Sequence, residues 1–401
     1  MKTKAKMSSK VIIGVARDLR TKGGRAMIEP NFAASLPKRR DYIASFFAKQ
    51  ITMMKEGETR AVGCNSVKDY AEFVRVHRGI PMEDVGIKIG SDAGMGRLTT
   101  VLAVYDKSNV RPQKQQRVCR SDEVLPKNTS LLGPCKGQIV HSAPKVKDRY
   151  ENLRPIYESI GVGEMEDVTF NGDCLYFNEL FGKMSCSSTF PCYACNVHKD
   201  NLDTCGELID FGMAEFWVNE FLTKGKGKRE NGKDFFCHVE MPLVKSKDPR
   251  QTFLDLAPPP TLHHKLAVSH ILKGMKAKFP AIKPFLASLS IVENPYYGEF
   301  NLNGNDVDTL FANLDQLEKL PTFTPDLQVF VDVLRDFKQV IQSCYGFTLD
   351  PAYKEVLDKF RRTYLKMRNQ HGVTVSVKFH QAFFHVRQSI DKHGRALGEF
   401  R

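Results

Sequence analysis

The spacing of apolar residues changes twice along the chain, and the first region is helical. Residues 41–54 carry apolar side chains at helical spacing behind a potential cap at Asp41. A second helix is predicted over residues 67–79. The first 40 residues are basic, interrupted by glycine and proline and without a sustained period, which predicts an irregular arm.

From residue 84 the apolar residues take the pattern of strands. Residues 85–89 and 98–105 predict two strands joined by a glycine-rich corner through Gly90, Gly94 and Gly96, and a third strand is expected near residues 137–141. A helix is predicted over residues 146–160. It leads to a short strand that ends near Asp173, followed by an amphipathic helix.

Beyond residue 200 the pattern becomes helical again and stays so. Three prolines at 258–260 interrupt this region. The predicted helices are 208–222, 262–279, 306–320, 327–344, 351–370 and 375–393. The apolar stripe of residues 327–344 is typical of a helix packed into a core.

The charge of the chain suggests a binding partner, and its apolar runs argue against a membrane protein. The formal charge of the 401 residues is +13, with eleven Lys and Arg against two acids in residues 1–40 and eleven against four in residues 351–401. Basic ends favour a polyanionic partner, most simply DNA, although a solvated, solubilising surface explains the same charge. No apolar run reaches the roughly 18 residues that a membrane span needs, and the first residues lack a secretory pattern, so no membrane partner is expected and the cytosol or nucleus is predicted.

Two aspartates follow β-like segments, where α/β enzymes often place catalytic carboxylates. Asp92 ends the first predicted strand and Asp173 ends the strand before the amphipathic helix. If the two strands are neighbours, their carboxylates could bind one or two Mg²⁺ or Mn²⁺ ions, which suit phosphodiester chemistry. The alternative is that each Asp only ends a strand or caps the next turn.

Cysteine and histidine pairs predict a second metal site. Ten cysteines without regular spacing or an export signal favour reduced thiols over a disulfide framework. Cys192 and Cys195 form a CxxC, and His380 and His385 supply a second pair that could complete a tetrahedral Zn²⁺ site. A redox CxxC and ordinary core or surface residues remain alternatives. Other potential ligands are His198, His263, His264, Cys186, Cys205, and Cys237 with His238.

The order of these motifs resembles that of a known enzyme family. GSDAGMG at 90–96, NGD at 171–173, PCYAC at 191–195 and the final FHQAFFHVRQSIDKHGRALGEF are similar to the catalytic core of DDE transposases related to Transib elements, a group that includes the V(D)J recombinase catalytic subunit. The resemblance covers about residues 85–401. It implies an RNase H-like mixed sheet with a large all-helical insertion, two catalytic aspartates matching Asp92 and Asp173, and a zinc ion held by the CxxC and HxxxxH.

One element of the family pattern is not matched. The catalytic Glu of the family lies beyond the second histidine, on a helix that would begin after Arg401, and Glu399 belongs to the preceding turn. The expectation is therefore a C-terminally truncated core with two of its three acids, crippled in strand transfer. The amino-terminal DNA-reading domain of the family is expected to be absent or reduced to the basic arm.

The resemblance also sets expectations for organisation and function. Four segments are predicted: residues 1–80 as basic arm and helices, 81–200 as RNase H-like core, 201–374 as helical insertion and 375–401 as zinc-binding histidine helix. The expected function is DNA nicking and strand transfer by a nuclear, transposon-derived protein, with a homodimer as a further expected assembly. The competing hypothesis is a catalytically silent, zinc-containing DNA-binding or interaction protein derived from such an element.

Overall fold

The protein is mixed α/β. The computed structural model describes residues 51–400, apart from 57–58, 65, 93–96, 108–137, 145–146, 148, 166–167, 295–298, 301 and 347. The chain folds into two compact units. The sheet unit comprises Met1–Gly172 and Leu243–Ser246, and the helical unit comprises Asp173–Pro242 and Lys247–Arg401. The division of the chain into the four segments expected from the sequence stays a prediction.

In its described residues, the sheet unit alternates strands with two α-helices. In chain order it contains β1 (Ile51–Glu56), β2 (Thr59–Cys64), α1 (Val67–Arg78), β3 (Val85–Asp92), β4 (Arg97–Asp106), β5 (Gln138–Pro144), α2 (Tyr150–Ile160) and β6 (Val168–Asn171). The helix predicted over residues 67–79 is confirmed as α1. It begins where the Ser66 side chain accepts the Asp69 N–H and ends at Gly79, whose φ of 64° suits glycine.

The six strands form one sheet in the order β1-β2-β5-β4-β3-β6. Neighbouring strands are antiparallel except β3 and β6, which run parallel with Gly90 opposite Asn171. Because β5 and β6 point in the same direction, the chain must cross the sheet between them, and α2 provides that crossover. A buried trio ties α2 to the sheet: Ser91 Oγ lies 2.7 Å from Thr100 Oγ1 and 2.8 Å from the Tyr157 hydroxyl.

Two predictions for this unit are wrong in part. The helix expected over residues 41–54 is a strand from Ile51 onward, since these residues pair with β2 in register, and residues 41–50 lie outside the described part. Gly90 is not part of a corner, because β3 continues through it to Asp92. A Cβ at Gly90 would lie 2.4 Å from the Asn171 carbonyl oxygen, so this glycine allows β6 to approach.

The helical unit is larger and contains most of the helices. In chain order it contains α3 (Cys174–Leu180), α4 (Phe211–Thr223), α5 (Phe253–Leu256), α6 (Thr261–Leu266), α7 (Val268–Lys278), α8 (Ile282–Ser288), a hairpin of β7 (Glu293–Asn294) and β8 (Glu299–Phe300), α9 (Gly304–Ala312), α10 (Leu314–Leu317), α11 (Pro325–Cys344), α12 (Tyr353–His371), α13 (Val377–Phe383) and α14 (His385–His393). None of the helices in the described ranges is both long and apolar enough to cross a membrane.

The core of this unit forms around α11. Leu327, Phe330, Leu334 and Phe337 are buried on one face, and Ile341 packs at its edge, as the apolar stripe predicts. The aromatic rings of α12 and α13 meet that face, with the Phe360 ring centroid 5.0 Å from that of Phe337. Since these side chains are fully buried, α13 is held in a fixed position against α11 and α12.

Three predicted helices are each divided in two. The division falls at Ala267 between α6 and α7, at Asn313 between α9 and α10, and at Phe384 between α13 and α14. The last division matters for the site, because it separates the two histidines of HxxxxH. Helix α8 and the β7–β8 hairpin were not predicted.

Candidate metal centre

The CxxC lies in an irregular segment that side chains hold from both sides. Asn178 Nδ2 donates to the Pro191 carbonyl at 3.1 Å, and the buried Lys183 Nζ donates to the Cys192 carbonyl at 2.6 Å. Cys195 forms an isolated bridge with Leu208. No helix begins at the CxxC, so the strand-to-helix setting of a redox CxxC is missing, and both cysteines are free thiols.

The two histidines reach one point because the helix is interrupted between them. In a continuous helix, residues five apart differ by about 140° in direction and cannot share a ligand position. Phe384, with φ −120° and ψ −53°, ends α13, and His385 begins α14. The interruption turns the two imidazoles toward each other, with Nε2 atoms 3.1 Å apart.

The four side chains form a compact, fully buried cluster. Cys192 Sγ lies 3.3 Å from His385 Nε2, and Cys195 Sγ lies 3.2 Å from His380 Nε2. All ligand atoms of the four residues are within 4.8 Å of one another. Tetrahedral Zn²⁺, with bonds of about 2.3 Å to S and 2.0 Å to N, requires N···N separations of about 3.3 Å and S···N separations of about 3.5 Å. The cluster could therefore hold a metal ion such as zinc.

Outer hydrogen bonds set the tautomers that a metal requires. His380 Nδ1 lies 3.1 Å from the Leu202 carbonyl oxygen, and His385 Nδ1 lies 2.7 Å from Gln388 Oε1. Both oxygens only accept, so each Nδ1 carries the proton and each Nε2 presents its lone pair to the centre. This carbonyl–imidazole arrangement is typical of histidines that bind metals.

Cys192 and His385 shift each other's pKa in opposite directions. Burial raises the pKa of the Cys192 thiol, but hydrogen bonding from Cys195 and the charge of His385 outweigh it and place that pKa well below its usual range. Burial acts to lower the pKa of His385, yet the Cys192 thiolate raises it overall. The two pKa shifts have opposite directions and share one cause, the attraction between the Cys192 sulfur and the His385 ring, and a divalent cation bound there would compete with protons.

The other potential ligands lie elsewhere in hydrogen bonds or packing. His198 is half-buried and caps the 3₁₀ turn Lys199–Asn201, while His264 hydrogen-bonds to Tyr345 and Gln381. His238 is buried among rings, 5.2 Å from that of Trp217. Within the described residues, no other group of three or more His, Cys, Asp and Glu side chains could share an ion.

The two aspartates have backbone positions that fit both earlier hypotheses. Asp92 is the last residue of β3 and pairs with Thr99 of β4. Asp173 caps α3, its Oδ1 accepting the Tyr176 N–H at 2.7 Å. A carboxylate that caps a short helix still has free lone pairs, so capping does not use up its capacity to bind an ion.

The outer residues of the cluster were not found from the sequence. Gln381, Gln388 and Lys183 contact ligand residues, and Leu202 contributes a backbone carbonyl. The only local signal is the glutamine inside HQAFFH, since glutamine rarely occupies a fully buried helix position without a partner.

Comparison with known proteins adds no relative: no family model matches the chain, and no curated protein matches it significantly.

Proposed function

We propose that this chain is the zinc-containing core of a transposon-derived DNA nucleotidyltransferase resembling the Transib-type DDE transposases. The observation that carries the proposal is the cluster itself. Cys192 and Cys195 are nearly 190 residues from His380 and His385, yet the four ligand atoms converge as the resemblance implies. Four buried ligand-type side chains are costly unless they are hydrogen-bonded or bind an ion, and their convergence supports a shared metal ion.

The strand register supports an RNase H-like reading of the sheet unit. The first acid of the family belongs to the opening strand of its core and the second follows a later strand. Here β3 and β6 are parallel neighbours with Gly90 opposite Asn171, and Asp92 and Asp173 each come two residues after those positions. In the proposal, Asp92 and Asp173 are each a ligand of Mg²⁺ or Mn²⁺, whose charge would stabilise the attacking and leaving oxygens of DNA phosphodiesters.

Exposed cations support DNA as the partner. Five basic side chains of the helical unit are exposed and form no ion pair with described residues. They are Lys226, Lys228 and Arg229, and Arg362 and Lys366 on α12. Cations without acidic partners are available to phosphates, and each neutralised phosphate releases counterions. The proposal further includes a nuclear location and a homodimeric assembly, both taken from the resemblance.

The test combines DNA cleavage with DNA binding at several salt concentrations. Purified chain with Mn²⁺ and DNA is compared with Asp173→Asn, since Asn caps a helix as well as Asp but binds divalent cations poorly. The expected result is metal-dependent nicking that is weak in the purified chain and is lost in Asp173→Asn and Asp92→Asn, with DNA binding retained. Binding that is insensitive to salt would contradict the proposal.

The alternative is a catalytically silent DNA-binding or interaction protein that keeps the zinc centre. The capping contact of Asp173 is compatible with it, because this carboxylate has a structural use even without an ion. In that case salt-dependent DNA binding would survive both Asp92→Ala and Asp173→Ala, and no metal-dependent nicking would occur. Nicking that requires both aspartates would instead favour the enzyme.

A further inference from the structure

A buried chain of polar side chains, the relay Tyr345–His264–Gln381, leads from the helical core to the metal centre. The Tyr345 hydroxyl lies 3.0 Å from His264 Nδ1, His264 Nε2 lies 2.9 Å from Gln381 Oε1, and Gln381 Nε2 lies 4.0 Å from Cys192 Sγ. His264 and Gln381 are fully buried, and Tyr345 is 4% exposed. We infer that Gln381 is a positioning residue whose amide N–H, oriented by His264 and Tyr345, donates to the Cys192 thiolate and tunes the metal centre.

The direction of every hydrogen bond in this chain is determined. Burial lowers the pKa of His264 to about 3, so its ring is neutral and has one donor and one acceptor nitrogen. Gln381 Oε1 can only accept, which places the ring proton on Nε2. His264 Nδ1 must then accept from the Tyr345 hydroxyl. All donors therefore point toward Cys192, and hydrogen bonds aligned in this way reinforce one another.

A second donor fixes which way the Gln381 amide points. The Cys174 thiol lies 3.4 Å from Gln381 Oε1, and burial raises the pKa of this thiol well above its usual range, so it stays protonated. With the oxygen facing two donors, the amide NH₂ group has to face Cys192. An exchange of oxygen and nitrogen would set the NH₂ against the His264 N–H and would place an oxygen against a thiolate.

The consequence is an outer donor for one of the two metal-binding sulfurs. Cys195 Sγ has His380, Cys192 and the Val197 backbone N–H as hydrogen-bond partners, whereas Cys192 Sγ has the Gln381 side-chain amide as its outer donor. A donor to a thiolate withdraws electron density from sulfur and stabilises its charged form. Loss of such an outer partner typically weakens metal affinity about 10–100-fold.

The inference rests on the metal centre of the proposed function, but not on DNA chemistry. The test uses the full chain loaded with Co²⁺, a probe of tetrahedral sulfur–nitrogen sites, together with Zn²⁺ affinity by chelator competition. Gln381→Met keeps the size of the side chain and removes the donor. We expect a shift of the sulfur-to-cobalt charge-transfer band to lower energy and a Zn²⁺ affinity about 10–100-fold weaker.

Two tyrosine variants separate the relay from simple loss of packing. Tyr345→Phe removes only the hydroxyl at the start of the relay and should shift the same band in the same direction by a smaller amount. Tyr364→Phe is the matched control, because Tyr364 is equally buried but donates to the Thr374 carbonyl at 2.9 Å, away from the relay. It should leave band and affinity unchanged.

The outcomes distinguish this inference from the proposed function. If the wild-type chain binds neither Co²⁺ nor Zn²⁺, the metal centre itself is refuted. If the wild-type chain binds both and Gln381→Met keeps band and affinity, the relay is refuted. If Gln381→Met fails to fold, Tyr345→Phe decides: an unshifted band overturns the inference, and a shift absent from Tyr364→Phe supports it.

Discussion

His380 and His385 point their Nε2 lone pairs at each other across 3.1 Å. Each uses its Nδ1–H as an outward hydrogen-bond donor, His380 to the Leu202 carbonyl oxygen and His385 to Gln388 Oε1. Two facing lone pairs repel, so this arrangement is stable only with a proton or a cation between them. The two thiols beside them make a cation the better match, since together they supply two negative charges.

The first prediction concerns metal content. The wild-type chain should contain one Zn²⁺ per molecule by elemental analysis, and its Co²⁺ form should show the visible bands of a tetrahedral site. His385→Ala or Cys195→Ser should lower zinc well below one per chain, because the remaining three ligands leave the ion open to water. Chelation should lower the midpoint of thermal unfolding in the wild type.

The control for this experiment is His198→Ala. His198 is near the CxxC in sequence but lies at an exposed turn outside the cluster. Its zinc content should equal that of the wild type. A loss of zinc in His198→Ala as large as in His385→Ala would contradict the assignment of the ligands.

The second prediction compares two glycines with the same backbone conformation. Gly182 has φ 68°, and a Cβ there would lie 1.9 Å from the Glu240 carbonyl oxygen; Gly372 has φ 70° and open space. Gly372→Ala should cost about 1 kcal/mol for the left-handed conformation alone. Gly182→Ala should cost about 3–5 kcal/mol, since two backbone segments must separate. Denaturant unfolding measures both, and equal costs would show that the close approach is unimportant.

The third prediction concerns the helix cap at Asp173. Asp173→Asn should change the free energy of unfolding by less than about 0.5 kcal/mol, because the amide oxygen still accepts the Tyr176 N–H. Asp173→Ala should cost about 1 kcal/mol. Divalent-cation binding, measured by calorimetry with Mn²⁺, should fall in both variants. If Mn²⁺ binds Asp173→Asn as it binds the wild type, Asp173 serves only as a cap.

The fourth prediction concerns stability in mild acid. Burial lowers the pKa of His264 from 6.5 to about 3. Between these two pH values His264 is protonated in the unfolded chain but stays neutral in the folded chain. Stability should therefore fall as the pH drops from 6.5 toward 3, and His264 alone should account for about 2 kcal/mol at pH 5 relative to pH 8.

A glutamine at this position isolates the contribution of His264. Denaturant unfolding of the metal-free protein between pH 8 and pH 5 should show a smaller pH dependence in His264→Gln than in the wild type. The same dependence in both proteins would mean that other groups, such as the buried His238, account for acid sensitivity.

Periodicity predicted most elements because each depends on local spacing. The apolar stripe of α11 and the β-branched run of β4 were visible in the sequence and are present in the structure. The strand β1 was mistaken for the end of a helix because Ile51 fits both periods, and only pairing with β2 decides between them. Strand pairing between distant residues cannot be predicted from the spacing of apolar residues within a short segment.

The candidate site was predictable in its ligands but not in its surroundings. CxxC and HxxxxH can be read from the chain, whereas the contact of Gln381 with His264, 117 residues away, depends on how α6 packs against α13. Likewise, nothing local predicts that the helix is interrupted at Phe384. At that interruption the Phe384 ring packs against the His380 ring, with centroids 5.2 Å apart, and lies 4.6 Å from the Arg361 guanidinium, both contacts that the local sequence does not reveal.

The distance in sequence between the two pairs of ligands has a consequence for biosynthesis. Cys195 leaves the ribosome 185 residues before His380. At a translation rate of about 5–20 residues per second, the two cysteines are synthesised roughly 10–40 s before the two histidines. During that interval the nascent chain exposes a pair of thiolates able to take up soft metal ions or to oxidise, so maturation of this protein should depend on the reducing capacity and metal supply of the cell that translates it.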